Sequence, residues 1–349
     1  MKQSHILVIR ISSMGDVAMT VPVLQQLLQK YPGIKLTVLT QPNFFPLFET
    51  LERTDVQAAD IKWKHKGITG LFKLFFDLRK KYRYDAVADL HNVLRSQLLR
   101  FLFRLSGIKM AVINKGRKKK RQLTNLKHKR LRQLKTTFQR YADVFAKLGF
   151  PVKLDTSKQV FPKQQLPAEV LPFFVHGKKY VTIAPFARHP EKMYPAAKMK
   201  KVIQLLSEQP NIQLFFVGGG RWEMERLNKL ENEFPGTTNL SGKFSFKDEL
   251  AILSNMDAVV SMDSANMHLA SLFGVPVVSI WGATHPFLGF YGWGQSNENA
   301  IQSSFYCRPC SVFGNKPCFR GDRECMERIR EKSVVDRIIN LINDHHSST

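Results

Sequence analysis

Three short segments of this 349-residue chain combine residue types able to move protons and hold phosphate. The first, Ser12-Ser13-Met14-Gly15-Asp16, follows an apolar run and opens a helix-period stretch, which puts a carboxylate in a first helical turn. A carboxylate at a strand end can act as a general base, and Gly15 lets a substrate come close to the backbone. Complementing the helix dipole is the structural alternative for Asp16. The second segment is FARHPEKMYP, from Phe186 to Pro195. There Lys192 offers a point charge to a diphosphate leaving group and Arg188 a second cation if it turns inward, against the plain alternative of a solvated loop. The third, Asp263-Ser264-Ala265-Asn266-Met267-His268, ends an apolar run and starts a helix. The amides of Ser264, Ala265 and Asn266 then point at an anion, and His268, a turn further on, reaches a phosphate or a sugar hydroxyl. Taken singly, Ser264 is also a simple cap and His268 a structural histidine.

These segments need strands to hold them, because ligands of open parallel sheets bind beyond the carboxyl ends of the strands. Apolar runs predict strands at 5–10, 35–40, 84–89 and 110–113, and again at 180–185, 212–217, 258–262 and 277–281. Helix-period stretches fall between them at 17–30, 93–105, 131–148, 195–207, 222–233, 245–254 and 265–273, with a last helix at 334–345. Strands alternating with helices predict an α/β fold with two Rossmann-like, doubly wound domains facing across a cleft. The expected domains are 1–150 and 176–332, with a Pro-containing linker at 151–175 and a C-terminal helix and tail at 333–349. Gly149 suits the C-terminal cap of the helix before the linker. The glycines 218–220 make a turn, and without a G-x-G-x-x-G pattern after them they do not indicate NAD.

Composition narrows the class. With 44% hydrophobic and 23% charged residues, disordered and fibrous architectures are poor candidates. The 53 Lys and Arg against 28 Asp and Glu leave +25, which implies an anionic partner: nucleic acid, a phosphorylated substrate or an anionic membrane. No run approaches the roughly 18 apolar residues of a spanning helix, since Arg95, Arg100 and Arg104 interrupt the most hydrophobic stretch of the first half. The N-terminus has no sustained apolar core of a signal peptide, so the expected location is the cytoplasm. Cys307, Cys310, Cys318 and Cys325 sit in one short region spaced C-x2-C-x7-C-x6-C. That spacing is compatible with a tetrahedral structural Zn site or with free thiols, and either would leave catalysis without a required cofactor.

Together the three segments, SSMGD, KMYP and DSANMH, resemble the S-x-G-D, K-x-W-P and D-[ST]-G-x-x-H motifs of the family 9 glycosyltransferases, in the same order and at comparable separations. That family is best known for ADP-heptose:lipopolysaccharide heptosyltransferases. The resemblance implies a GT-B pair of Rossmann-like domains, the acceptor on the first and the nucleotide sugar on the second. It implies Asp16 as the catalytic base of an inverting, metal-independent transfer, with Ser12, Ser13, Met14 and Gly15 beside the acceptor. Lys192 becomes the diphosphate-binding lysine, and Arg188, Glu223, Asp263, Ser264, Ala265 and His268 line the donor. Three departures stand out: Tyr194 where Trp is usual, keeping an aromatic wall; Ala265 where Gly is usual, adding a methyl at the diphosphate; and a loop before Lys192 that is not rich in Ser or Thr.

The resemblance also gives the basic run a partner. Between 115 and 135 the chain carries eleven Lys or Arg and no acid, including Lys118, Lys119, Lys120 and Arg121. An enzyme modifying a phosphorylated glycolipid would use them to sit on an anionic membrane surface, peripherally on the inner face of the cell membrane. No aromatic residue interleaves them as a base-stacking platform requires, so nucleic acid is not the expected partner. The helix-period stretch 67–81 reads as core-facing, with an interfacial helix as its alternative. Two other functions remain as alternatives: a family member using a different nucleotide sugar, and a non-catalytic RNA-binding protein on the same fold.

Overall fold

The computed structural model describes residues 3–344; the terminus expected for the last helix at 345 and the tail to 349 lie outside the described residues. The first sheet consists of β1 (Ser4–Ile9), β2 (Ile34–Thr40), β3 (Thr54–Ala58), β4 (Ala86–Asp89) and β5 (Lys109–Val112), all parallel in the order β3-β2-β1-β4-β5. Ile6, Leu7, Val8 and Ile9 of the central strand are fully buried, as the unbroken apolar run of a strand covered on both faces requires. The strand β3, Thr-Asp-Val-Gln-Ala, is half-buried at the sheet edge and carries no such run, which is why the sequence does not announce it.

The helices joining these strands are α1 (Met14–Ala18), α2 (Val21–Lys30), α3 (Gly67–Lys81), α4 (Leu94–Leu105), α5 (Arg117–Leu123) and α6 (Thr137–Leu148). The single helix expected at 17–30 is two. Pro22 lies in the first turn of α2 and cannot continue a helix from α1, since it lacks an N–H and its ring meets the preceding turn. The last of them, α6, begins on a capping box between Thr136 and Gln139 and ends at Gly149, whose φ of +101° is the left-handed cap anticipated there.

The second sheet repeats the first. It contains β6 (Lys179–Ala184), β7 (Ile212–Phe216), β8 (Thr237–Asn239), β9 (Ala258–Met262), β10 (Val277–Trp281) and β11 (Ala300–Gln302), parallel in the order β11-β10-β9-β6-β7-β8. Its helices are α7 (Ala196–Ser207), α8 (Arg221–Glu233), α9 (Phe246–Ser254), α10 (Ala265–Leu272), α11 (Glu324–Glu327) and α12 (Glu331–Asp344). The last helix, α12, packs on α7 and β9, which makes it part of this unit's core. In each sheet the first strand lies centrally and the chain then works outward on one side before crossing to the other. The order reverses between β1 and β4, and between β6 and β9; in such sheets the carboxyl ends at the reversal are where ligands bind.

The two compact units divide differently from the expected 1–150 and 176–332. One comprises the chain through Lys115 with Lys135–Thr156, the other Gly116–Leu134 with the chain from Ser157 on. The basic run therefore packs on the second unit. Leu123 and Leu134 pack with Leu288, the Leu134 N–H donates to Phe287 O at 2.9 Å, and Lys129 Nζ donates to the carbonyls of Cys307 and Pro309. Lys120, expected on an exposed anionic-surface patch with Lys118, Lys119 and Arg121, is instead buried, its ammonium 3.8 Å from the centre of the Phe290 ring. A cation over an aromatic face is attracted by the ring quadrupole. Lys118, Lys119 and Arg121 remain exposed.

Candidate active site

At the reversal of the first sheet, β1 and β4 deliver two polar groups of residues. Asp16 sits in the first turn of α1, one-third exposed, and its Oδ2 accepts from Ser13 Oγ at 3.0 Å and from Arg10 Nη2 at 2.6 Å. Arg10, immediately after β1, is buried and also donates to Leu90 O at 2.8 Å just past β4. Tyr141 of α6 donates to Asp16 O at 3.2 Å, so the turn is gripped from below as well. From β4 comes Asp89, fully buried, whose Oδ1 accepts the amides of His91 and Asn92 and whose Oδ2 pairs with Arg100 at 2.9 Å. His91 is buried beside them. Burial first, then the Arg10 and Lys115 cations, push its imidazole down to about 3, so it is neutral at physiological pH. Among the described residues His91 Nδ1 and Arg10 Nε are buried without a hydrogen-bond partner, and a bound polar ligand is one way to satisfy such groups. Ser12 and Ser13 lead from β1 into α1, whose first residues are Met14 and Gly15. Arg10, His91 and Asn92 were not anticipated. The signal was present, since all three lie within three residues of a strand's carboxyl end.

At the reversal of the second sheet, β6 and β9 bring Lys192 and Asp263 together. Lys192 Nζ lies 2.8 Å from Asp263 Oδ2 and donates to Asp263 O at 2.9 Å, with the two side chains 16% and 5% exposed. Lys192 is thus no solvated loop cation. Next along the chain, Ser264 takes the cap position of α10 with extended backbone but without a side-chain cap bond; its Oγ instead meets Ser261 Oγ at 3.0 Å. The first-turn amides of α10, from Ala265 on, are therefore not occupied by the cap side chain. His268 is buried in the body of α10. His189, in the loop before Lys192, has its imidazole lowered by burial and then by Lys192 and Arg188, a sign that this loop is electropositive. Arg188 itself is exposed and does not turn inward.

Two expectations at this site are corrected. Tyr194 is no wall of an open site: it is buried in the core and its hydroxyl donates to Ile329 O at 2.7 Å, so it ties the loop to the segment before α12. The Glu223 carboxylate is already engaged, accepting from Gly219 N–H at 2.7 Å across the glycine turn. Burial raises its pKa, and that hydrogen bond opposes the rise. The turn needs glycine at 218, where a Cβ would stand 2.8 Å from Glu223 Oε2.

The cysteine segment braces Lys192. Gly314 adopts φ +69°, and a Cβ on it would stand 2.5 Å from Lys192 Cγ, so the loop backbone lies directly on the lysine stem. Arg308 fastens this loop: it is buried and donates to Gly282 O and Thr284 O beyond β10 and to Ser303 O beyond β11. Burial draws Arg308 down to about 10, still protonated at neutral pH. Cys307, Cys310, Cys318 and Cys325 form no disulfide. Among the described residues, no group of three or more His, Cys, Asp or Glu side chains is arranged to hold a metal ion. Burial pushes the thiols of Cys307 and Cys310 up, and that of Cys325 to about 11, which favours the neutral form over the thiolate.

Comparison with known proteins decides the family. The model described as "Glycosyltransferase family 9 (heptosyltransferase)" matches residues 71–317. The chain belongs to glycosyltransferase family 9. Lipopolysaccharide heptosyltransferase 1 of Pseudomonas aeruginosa is 26% identical over 324 residues, covering 88% of this chain and 86% of that protein. Among solved structures, a family 9 glycosyltransferase from Veillonella parvula superposes with a TM-score of 0.76 at 20% identity, over 99% of this chain and 98% of that one. The E. coli ADP-heptose lps heptosyltransferase II gives 0.70 at 18% identity, over 99% and 100%. At these identities the structures establish the fold, a GT-B pair of parallel-sheet α/β domains. For this family 9 glycosyltransferase, the matched region contains both Lys192 and the Asp263 helix start, while the SSMGD turn precedes it.

Proposed function

We propose that this chain is an inverting glycosyltransferase that moves heptose from ADP-heptose to a lipopolysaccharide core or related phosphorylated glycolipid, with Asp16 as general base. The observation supporting this reading is that a partly exposed carboxylate, Asp16, stands at the reversal of one sheet and a mostly buried lysine beside a helix start, Lys192, at the reversal of the other. Inversion at an anomeric carbon needs a base on the acceptor hydroxyl, opposite the departing nucleoside diphosphate. Arg10 and Ser13 hold Oδ2 of a carboxylate that is one-third exposed, which orients it for that proton. Ser12 to Gly15 present the turn to the acceptor. On the donor side, charge growing on the diphosphate meets the Lys192 ammonium and the first-turn amides of α10, an electrostatic arrangement that can do the work often given to a divalent metal. Asp263 acts through Lys192, fixing where its ammonium stands, while Ser264, Ala265 and His268 border the donor. The names of the relatives support heptose, ADP and lipopolysaccharide as the substrates. An acceptor of that kind places the enzyme peripherally on the inner face of the cell membrane.

The test is transfer from ADP-heptose to a delipidated acceptor in buffer containing a chelator, with a panel of nucleoside diphosphates scored by thermal shift. Asp16→Asn is expected to bind ADP as the wild type does and to transfer at least about a hundredfold more slowly. Near-normal turnover in Asp16→Asn removes the base assignment. Wild-type transfer abolished by the chelator removes the metal-free mechanism, and stabilisation by UDP or GDP in preference to ADP removes the adenine donor.

A further inference from the structure

The helices α3 and α4 pack against each other on the first unit, and each buries one apolar stripe. Leu71, Leu74, Phe75 and Leu78 of α3 meet Leu99 and Phe103 of α4 in the core, where the Phe75 and Phe103 rings stand 4.9 Å apart edge to face. An amphipathic surface helix carries polar residues on its remaining face. These two do not. Ile68, Phe72 and Phe76 recur at intervals of four along the exposed side of α3, and Leu94, Phe101 and Leu105 at intervals of seven and four along α4. Ile68 is 67% exposed, Phe76 63%, Leu94 84% and Leu105 71%. Large apolar side chains scattered singly need no explanation, but stripes on two adjoining helices mark an interaction surface.

Charge selects the partner. Together α3 and α4 contain seven cations against one acid, Asp77, and that acid is already bonded to Lys64 at 3.0 Å. Arg100 is paired with Asp89; Lys73, Arg79, Lys80, Lys81, Arg95 and Arg104 are exposed. The core of a protein interface is depleted of charge, which argues against a second copy. Nucleic acid would neutralise the cations but leave the leucine and isoleucine stripes in water. An anionic bilayer takes both: the stripes enter the boundary between headgroups and acyl chains, and the long Lys and Arg stems carry their charges to the lipid phosphates.

We propose that the outer face of α3 and α4 is the surface by which this protein docks on an anionic lipid bilayer. It displaces the Lys118 to Arg121 run from that role, since Lys120 is buried against Phe290 and α5 exposes no large apolar side chain. The proposal supplies the partner for the glycolipid reading above and rests on it. Its vesicle-binding readout needs neither donor nor acceptor, so the two can fail separately.

The experiment is flotation of the full chain with vesicles of phosphatidylcholine alone or mixed with phosphatidylglycerol. The wild type is expected to float with the mixed vesicles and not with the neutral ones. Phe72→Ser/Phe76→Ser/Leu105→Ser is expected to bind at least about tenfold more weakly, with an unchanged cooperative melt and undiminished transfer to a delipidated acceptor. Should that variant fail to melt cooperatively, Lys73→Glu/Lys80→Glu/Arg104→Glu decides, with the same expected loss. Lys118→Ser/Lys119→Ser/Arg121→Ser is expected to lose less than either. Wild-type protein that ignores anionic vesicles overturns the proposal, as does undiminished binding by the deciding variant. A wild-type dimer that Phe72→Ser/Phe76→Ser/Leu105→Ser dissociates overturns it in favour of a second copy.

Discussion

Replacing Lys192 with Met keeps the stem that packs on Gly314 and deletes only the ammonium. Two consequences of different kind follow from the geometry. Asp263, whose side chain is 5% exposed and whose Oδ2 lies 2.8 Å from Nζ, is left as a buried carboxylate without its cation. Breaking a buried pair from one side costs about 3–5 kcal/mol, an upper value here because an isolated buried carboxyl can take up a proton instead. Separately, on the proposed donor role of Lys192, a bound diphosphate loses one charge-assisted hydrogen bond worth about 1.5–3 kcal/mol, or roughly 10- to 150-fold in affinity. Adding Asp263→Asn separates the two. The double variant Lys192→Met/Asp263→Asn has neither charge, so it is expected to recover most of the lost stability while nucleoside diphosphate affinity stays weak. Denaturant unfolding reads the first quantity and calorimetric titration with ADP the second. If the double variant regains wild-type affinity, Lys192 serves only as a partner for Asp263. If Lys192→Met alone binds ADP normally, the lysine lies outside the donor site and the mechanism loses its cation.

The remaining predictions concern the neighbourhoods of the two reversals. His91 is held down to about 3 in the folded chain against 6.5 ordinarily, so the unfolded chain takes up a proton first as pH falls. Its neutral state supports the fold fully above about pH 6.5, and that support drains away as pH falls toward 3, by a few kcal/mol at most. His91→Gln should therefore show a shallower acid-side decline in the urea midpoint between pH 6.5 and 4, and parallel profiles would refute the assignment; His285, lowered to about 4, leaves a residual slope in both proteins. Gly314→Ala should weaken ADP binding several-fold, because its Cβ would stand 2.5 Å from Lys192 Cγ at a φ of +69° that alanine resists. Unchanged affinity would mean that the cysteine loop does not position the lysine.

The strands and most helices were legible because burial on both faces writes itself into the chain as continuous apolar runs; β9 and β10 fall where the runs at 258–262 and 277–281 place them. The edge strands β3, β8 and β11 were not, since a short strand at a sheet edge needs no such run. The three motifs were legible for a related reason: polar residues directly after an apolar run have few structural excuses. Their partners were not. That Asp263 underlies Lys192 from 71 residues away is a consequence of strand order, which brings together residues remote in sequence, while the local turns of Arg10 onto Asp16 and of Glu223 onto Gly219 depend on loop conformations that no periodicity announces. The basic run shows the same limit. A count of lysines cannot tell that Lys120 lies over Phe290, nor that the apolar stripes of α3 and α4 face outward, because a helix with apolar residues on two sides has no intrinsic inside until a sheet takes one of them.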